Sequence, residues 1–118
     1  MNKNEEEIVE YIAKVLNKFG YAEADSSEGN IKNIFGEYPS ISKFVFNYTG
    51  NNRKLINSVV VIYCPQNISH ADDCRAYLVI RKKIGENDYY TNMSMIELFN
   101  RLERFTGIKW EFIDKFWE

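Results

Sequence analysis

Apolar residues dominate two neighbouring segments near the middle of the chain, residues 57–64 and 76–82. Both segments are rich in β-branched and aromatic residues and are bounded by turn-forming residues, a pattern typical of strands. Because side chains alternate along a strand, the first segment presents an apolar set on each face: Val59, Val61 and Tyr63 on one, and Val60, Ile62 and Cys64 on the other. A strand that is apolar on both faces is predicted to lie at the centre of a sheet.

A segment with strict alternation precedes this central strand. In residues 41–49 the two faces carry Phe44, Phe46 and Tyr48 against Lys43, Val45 and Asn47. Turn-forming residues 50–54 then lead directly into the central strand, which predicts an antiparallel hairpin.

The sheet is predicted to continue after the second apolar segment, whose strand should extend to Ile84. A turn at residues 85–87 leads to Asp88–Asn92, which has the composition of an edge strand. The expected sheet is therefore a three- to four-stranded antiparallel β-meander from Ile41 to Asn92.

Helical periodicity appears at both ends of the chain. Residues 4–19 repeat apolar positions at helical spacing, with Asn4 as the expected cap and Gly20 as the expected stop. Ser94 and Glu97 match a capping box, and the apolar stripe that follows predicts a helix ending before Gly107.

Two segments give weaker patterns. Tyr21–Ser40 is acidic and rich in small residues, and we interpret it as a surface loop with a short helical turn at Ile31–Phe35. Residues 108–117 fit a strand in their first half and a helix through Trp110, Ile113 and Trp117, and we favour the helix. The predicted fold class is α+β: one domain over residues 1–118, with an N-terminal helix, the meander, and a C-terminal helical segment packed on one face of the sheet.

Composition and charge narrow the functional classes. The 118 residues carry a net charge of −2, so no global attraction to nucleic acid or to an anionic membrane is expected. The start of the chain is polar and acidic, and no apolar run approaches the length of a membrane span. These features predict a cytoplasmic protein without membrane association, in which Cys64 and Cys74 are thiols.

The loop between these cysteines, residues 64–74, gathers the chemistry-bearing side chains: both cysteines, His70, Asp72 and Asp73. It could form a zinc site, a cysteine nucleophile activated by His70, or a disulfide across the strand ends. The spacing matches no zinc pattern, and a flexible loop is a poor scaffold for catalysis. We therefore expect no metal, no cofactor and no enzymatic activity.

A nucleic-acid-binding regulator is the alternative function. Residues 102–113 resemble a helix-turn-helix pattern, and Trp110, Lys109, Arg101 and Arg104 would make the contacts. The segment in the position of the recognition helix carries Glu111 and Asp114, where a DNA-binding protein needs hydrogen-bond donors. Nucleic acid is therefore disfavoured as a partner.

Basic residues cluster at Arg81–Lys83 and at Arg53–Lys54, which we expect near opposite ends of the sheet. We interpret both clusters as edge and turn charges that keep the sheet soluble.

The aromatic content of 15% gives the main functional lead. If both helices lie on one face of the sheet, the other face presents tyrosine, valine and arginine, a composition typical of binding hot spots. The competing expectation is that residues 21–40 or the C-terminal aromatic segment cover that face. The candidate partner-binding residues are Tyr63, Tyr77, Arg81, Asp72, Asp73, Glu86 and Asp88.

The function predicted from these residues is that of a non-enzymatic protein-binding module. In size, acidity and lack of a catalytic motif the chain looks like the small inhibitors, immunity proteins and anti-defence proteins of bacteria and phages, a likeness of class only. Such a protein would act by occluding a functional surface of a protein partner, with its acidic groups meeting a basic surface. A homodimer through the same face is the alternative assembly.

Overall fold

The described part of the chain forms two α-helices and one antiparallel sheet, as the α+β prediction requires. The computed structural model describes the backbone of residues 3–33, 36–65, 67–83 and 85–117, and the side chains of residues 4–24, 41–65, 67–81 and 85–117. The helices and strands, in chain order, are α1 (Lys3–Lys18), β1 (Tyr21–Asn33), β2 (Gly36–Tyr48), β3 (Val59–Pro65), β4 (Arg75–Lys83), β5 (Glu86–Ser94) and α2 (Met95–Thr106). Single 3-10 turns occupy Ala71–Asp73 and Asp114–Phe116.

The sheet is a meander of five strands in the order β1-β2-β3-β4-β5. All neighbouring pairs are antiparallel, and β3 is central, as predicted. Val60 pairs with Leu78 on β4 and with Phe46 on β2, so the three inner strands share one apolar face. The predicted fourth strand is confirmed as β5, while Ile84, the predicted end of the preceding strand, lies outside the described residues.

The loop predicted for residues 21–40 is wrong. Residues 21–33 form β1 and pair along β2 from Tyr21 opposite Tyr48 to Asn33 opposite Gly36. Small and acidic residues have low strand propensity, and the strand is fixed by its pairing with β2, which propensity alone cannot reveal. The predicted helical turn fails for Ile31–Asn33, which lie in β1, while residues 34 and 35 lie outside the described part of the chain.

The helices pack their apolar stripes against one face of the sheet. In α1 the predicted stripe is buried: Ile8, Ile12, Val15, Leu16 and Phe19. This helix begins at Lys3, so Asn4 is not the cap; its amide instead donates to the Ile68 carbonyl at 3.4 Å. Gly20 follows the helix with φ of 91°, confirming the predicted stop.

The start and end of α2 also follow prediction. The Ser94 hydroxyl accepts a hydrogen bond from the Glu97 backbone N–H at 3.2 Å. Gly107 lies in the left-handed region at φ 71°, and its N–H donates to the Glu103 carbonyl at 2.7 Å.

The helix predicted for residues 108–117 is wrong. After Gly107 the chain runs without helix to Ile113 and then makes one 3-10 turn. Aromatic packing holds it in this form: Trp110 lies 4.9 Å from Phe99, and Phe116 stacks on Tyr11 at 4.6 Å between ring centroids. This C-terminal segment therefore closes the helical side of the molecule.

Buried Tyr21 couples stability to alkaline pH. Its hydroxyl shares a 2.6 Å hydrogen bond with Ser58 Oγ, and both residues are 1% exposed. Burial raises the pKa of Tyr21 to about 12, whereas the phenol of an unfolded chain titrates near pH 10. Between these values the unfolded chain loses a proton that the folded chain keeps, so the free energy of unfolding should fall as pH rises from about 10 to 12.

Urea unfolding at a series of pH values in this window tests the coupling. We expect Tyr21→Phe to lose less stability than the wild type between about pH 10 and 12, because it has no phenol to titrate. Lysines titrate in both proteins and cancel in the comparison. Equal pH slopes would contradict the assignment.

Candidate protein-binding face

The side of the sheet opposite the helices, here called the open face, carries the alternate residues of the inner strands. Along β3, Val60, Ile62 and Cys64 are buried in the core, while Val59, Val61 and Tyr63 are half-buried. Ala76, Leu78 and Ile80 of β4 join the same core as α1 and α2. The residues between them on β4 therefore face away from both helices.

Strand register assembles an apolar centre on the open face. Val61 pairs with Tyr77 on β4 and with Val45 on β2, and Val59 pairs with Val79. The rings of Tyr63 and Tyr77 meet edge to face with centroids 5.2 Å apart. We call this set the apolar centre: Val45, Val59, Val61, Tyr63, Tyr77 and Val79.

Burial differs between the two tyrosines. Tyr77 is only 9% exposed, yet it lies outside the core cluster beneath the helices. Partial burial raises the pKa of Tyr63, so its ring presents a neutral phenol at neutral pH. The burial of Tyr77 and its edge-to-face contact with Tyr63 restrict both rings, which lowers the entropy cost of using them in binding.

Basic side chains border the apolar centre. Lys43 and Arg75 lie directly opposite Tyr63 on β2 and β4, and Arg81 is an exposed residue further along β4 on the same face. Arg75 is held in position, since its Nε donates to Asn92 Oδ1 at 3.0 Å and its terminal NH2 group donates to the Asn92 carbonyl. We call Lys43, Arg75 and Arg81 the basic border.

Two of the predicted acidic binding residues bond within their own loop and to α2. Asp72 Oδ1 accepts the backbone N–H of Met95, the first residue of α2, at 2.9 Å. Asp73 Oδ2 accepts the N–H groups of Ser69 and His70 at 2.9 and 3.0 Å. A carboxylate at a helix N-terminus is stabilising, so Asp72 has a structural role in docking the β3–β4 loop on α2.

The other two predicted acidic residues lie at the opposite end of the sheet. Asp88 pairs with buried Ile80, on the helical side, and Glu86 pairs with Lys83 beside the β4–β5 turn. Each has an interaction partner within the chain. The seven predicted site residues therefore do not form one surface: Tyr63, Tyr77 and Arg81 share the open face, and the four carboxylates do not.

Several residues of this face are absent from the set predicted from the sequence. Lys43, Val45 and Arg75 join it through strand pairing, and Tyr89, which is 63% exposed, joins it by pairing with Val79. The alternation in residues 41–49 puts Lys43 and Val45 on one side of their strand. Only the register, however, shows that this side continues the face of Tyr63.

The cysteine loop is cross-linked. Cys64 and Cys74 form a disulfide with a Cα–Cα distance of 4.3 Å, so the predicted free thiols are wrong and the disulfide is the form observed. The physical reason is register: Tyr63 pairs with Arg75 in antiparallel strands, which brings Cys64 opposite Cys74. In this form neither sulfur is a thiolate for zinc or for nucleophilic attack.

Further observations concern metal binding, membrane insertion and DNA recognition. Within the described ranges, no group of three or more His, Cys, Asp and Glu side chains is placed to hold a metal ion. No helix among the described residues has the length and apolarity to cross a membrane. The segment after Gly107 offers no recognition helix, and Trp110 and Arg101 pack on Phe99 and on the Tyr90 ring.

Comparisons with protein-family models, with curated proteins and with solved structures find no match for this chain.

Proposed function

We propose that this chain is a non-enzymatic protein-binding module that docks a partner protein on its open face. The observation that supports the proposal is the position of the apolar centre: α1, α2 and the C-terminal segment all pack on the other side of the sheet. A rigid tyrosine pair surrounded by valines and bordered by arginine has the composition of an interface hot spot.

The charges of the open face define the partner's chemistry. Among the open-face side chains that the structure describes, those that carry charge are Lys43, Arg75 and Arg81, so the complementary surface is apolar at its centre and acidic at its rim. This reverses the charge expected from the sequence, where acidic residues of this chain were to meet a basic partner. The reversal follows from the carboxylates of Asp72, Asp73, Glu86 and Asp88 lying off the face.

The same border disfavours a symmetric homodimer. In a two-fold interface the same surface patch occurs on both subunits, so two sets of Lys43, Arg75 and Arg81 would approach each other. Like charges across an interface are unfavourable. We therefore propose that the partner is a different protein. The chain would act by occluding a functional surface of that protein, in the manner of an inhibitor, immunity or anti-defence protein.

The cytoplasm remains our proposed compartment. The disulfide opposes it, because cytosolic thiols are normally kept reduced. Trapping free thiols with an alkylating reagent at the moment of cell lysis decides the point. Alkylation of both cysteines supports the cytoplasm, and their complete protection as a disulfide contradicts it.

Loss of binding in tyrosine variants tests the binding proposal. A tagged chain is used to capture partners from a nuclease-treated lysate of the source cells, and the affinity of the captured protein is then measured by calorimetry. We expect Tyr63→Ala and Tyr77→Ala each to weaken binding by about tenfold or more, the effect of losing a hot-spot side chain.

Phe112→Ala is the matched control, because Phe112 is a 49% exposed aromatic residue of the C-terminal segment on the helical side. It should change the affinity less than about twofold, within the range of residues outside an interface. Circular dichroism and thermal unfolding show whether each variant is folded. Folded tyrosine variants with wild-type affinity would contradict the proposal.

A further inference from the structure

Members of both basic clusters, which are expected from the sequence to lie near opposite ends of the sheet, line one pocket: Arg53 and Lys54 of one cluster and Arg81 of the other. The antiparallel register pairs Val59 with Val79, so the loop before β3 and the end of β4 lie at the same end of the sheet. A pocket of about 440 Å³ opens there. Its lining residues are Arg53, Lys54, Ile80, Arg81, Asp88 and Phe105.

The pocket combines positive charge with an apolar floor. Three cations and one carboxylate line it, a local excess of positive charge in a chain whose net charge is −2. Ile80 is 4% exposed, and Phe105 packs edge to face on Tyr90 with centroids 6.5 Å apart. Lys109 forms an ion pair with Glu103 at 3.7 Å outside the pocket, and Asp88 of the pocket has an interaction partner within the chain.

Asn52 holds the basic loop in place. Its N–H donates to the Tyr48 hydroxyl and its side-chain amide donates to the Phe105 carbonyl, both at 3.0 Å. Its side-chain oxygen accepts the Lys54 N–H at 3.0 Å, and its carbonyl accepts the Leu55 N–H at 2.9 Å. Arg53 and Lys54 are thus carried on a loop that is fixed to the end of α2, which reduces the ordering cost of binding.

The end of α2 would repel an anion if its last carbonyls were bare. Three of them accept hydrogen bonds: Leu102 from the Thr106 hydroxyl at 2.8 Å, Glu103 from the Gly107 N–H at 2.7 Å, and Phe105 from the Asn52 amide at 3.0 Å. These hydrogen bonds weaken the negative end of α2, and three cations against one carboxylate leave the pocket lining with an excess of positive charge.

We propose that this pocket binds a phosphate-bearing small molecule with a flat ring, such as a nucleoside diphosphate. Guanidinium groups match phosphate oxygens in bidentate hydrogen bonds, and Lys54 adds a point charge. Phe105 offers a ring for the aromatic part of the ligand, and the pocket volume lies in the range of small-molecule sites. The pocket shares Arg81 with the basic border of the open face, but Arg53 and Lys54 lie outside that face, and the test of the pocket does not depend on a partner protein.

Titration of the full chain with ADP, followed by amide chemical shifts and calorimetry, tests the proposal. We expect shifts at residues 52–55, 80–81 and 105, and an affinity that falls about tenfold or more in the Arg53→Gln, Lys54→Gln double variant. Neither residue belongs to the open face, so partner binding should be unchanged by this variant. Lys14→Gln is the control, because Lys14 is an exposed lysine of α1, and it should alter ADP affinity less than about twofold.

Two further probes examine the ring and the ligand class. Phe105→Leu should weaken the binding of ADP by about threefold or more and leave the affinity for inorganic pyrophosphate unchanged, since only ADP has a base to stack on the ring. Equal affinities for pyrophosphate and ADP would overturn the assignment of a ring-bearing ligand. Absence of ADP binding, equal losses in the Lys14→Gln control, or tighter binding of a single-stranded oligonucleotide than of ADP would overturn the small-molecule site.

Discussion

Replacing Phe99 by alanine is expected to lower the free energy of unfolding by about 3–5 kcal/mol, the usual cost of removing a buried phenyl ring. Phe99 is fully buried in α2. Its ring centroid lies 6.4 Å from that of Phe19 in α1, 4.9 Å from Trp110 and 6.3 Å from Trp117. One side chain therefore joins α1, α2 and the C-terminal segment, and its loss leaves a cavity among all three.

Urea unfolding monitored by tryptophan fluorescence measures this loss, since Trp110 and Trp117 flank the ring. Phe112→Ala is the comparison: Phe112 stacks on Trp117 at 5.8 Å but is 49% exposed. We expect that variant to lose less than about 1 kcal/mol, because little apolar surface returns to water. Similar losses in the two variants would mean that Phe99 does not connect the helical layer as described.

Removing the disulfide by replacing Cys64 and Cys74 with alanine is expected to cost about 2–3 kcal/mol. The cross-link closes a loop of sequence separation 10, and a loop of this size contributes about that much by limiting the unfolded chain. Two further hydrogen bonds join the same loop to the helices. The Asp72 carboxylate accepts the backbone N–H at the start of α2, and the Ile68 carbonyl accepts the side-chain amide of Asn4 in α1. Alanine is a suitable replacement at both positions because it is small and apolar, and Cys64 and Cys74 are buried at 2% and 0% exposure.

Unfolding with and without a reductant checks the origin of the effect. The oxidised wild type should unfold at a higher urea concentration than the double variant. A reductant should lower the unfolding midpoint of the wild type towards that of the variant and leave the midpoint of the variant unchanged. An oxidised wild type with the same midpoint as the double variant would show that the cross-link adds no stability.

The elements that the sequence predicts well are those with strong local signals. α1 and α2 follow from apolar stripes and from Gly20 and Gly107, and β3 follows from a run of valine and isoleucine. The open face is also accessible to prediction, because the alternation in β3 separates Val60 and Ile62 from Val61 and Tyr63. In each case the information lies within a few neighbouring residues.

The features that the sequence misses depend on residues that are distant in the chain. β1 exists because Tyr21 to Asn33 pair with β2, and the unusual course of the C-terminal segment follows from Trp110 packing on Phe99. Register likewise joins Cys64 to Cys74 and brings Arg53 and Lys54 to Arg81. Local sequence patterns cannot supply these pairings. Once the pairings are known, the charged residues assigned to the candidate interface are basic, whereas those expected from the sequence were mainly acidic.

Site-specific photocrosslinking tests the central claim, that the open face binds a protein partner, most directly. A photoreactive phenylalanine analogue would be placed at Tyr89, which is 63% exposed and lies on the open face beside Val79, or at Phe112 on the helical side, and irradiated in the source cells. We expect a discrete protein adduct from position 89 that is absent from position 112 and is lost when Tyr63→Ala is added. Adducts from position 112 alone, or from neither position, would contradict the claim.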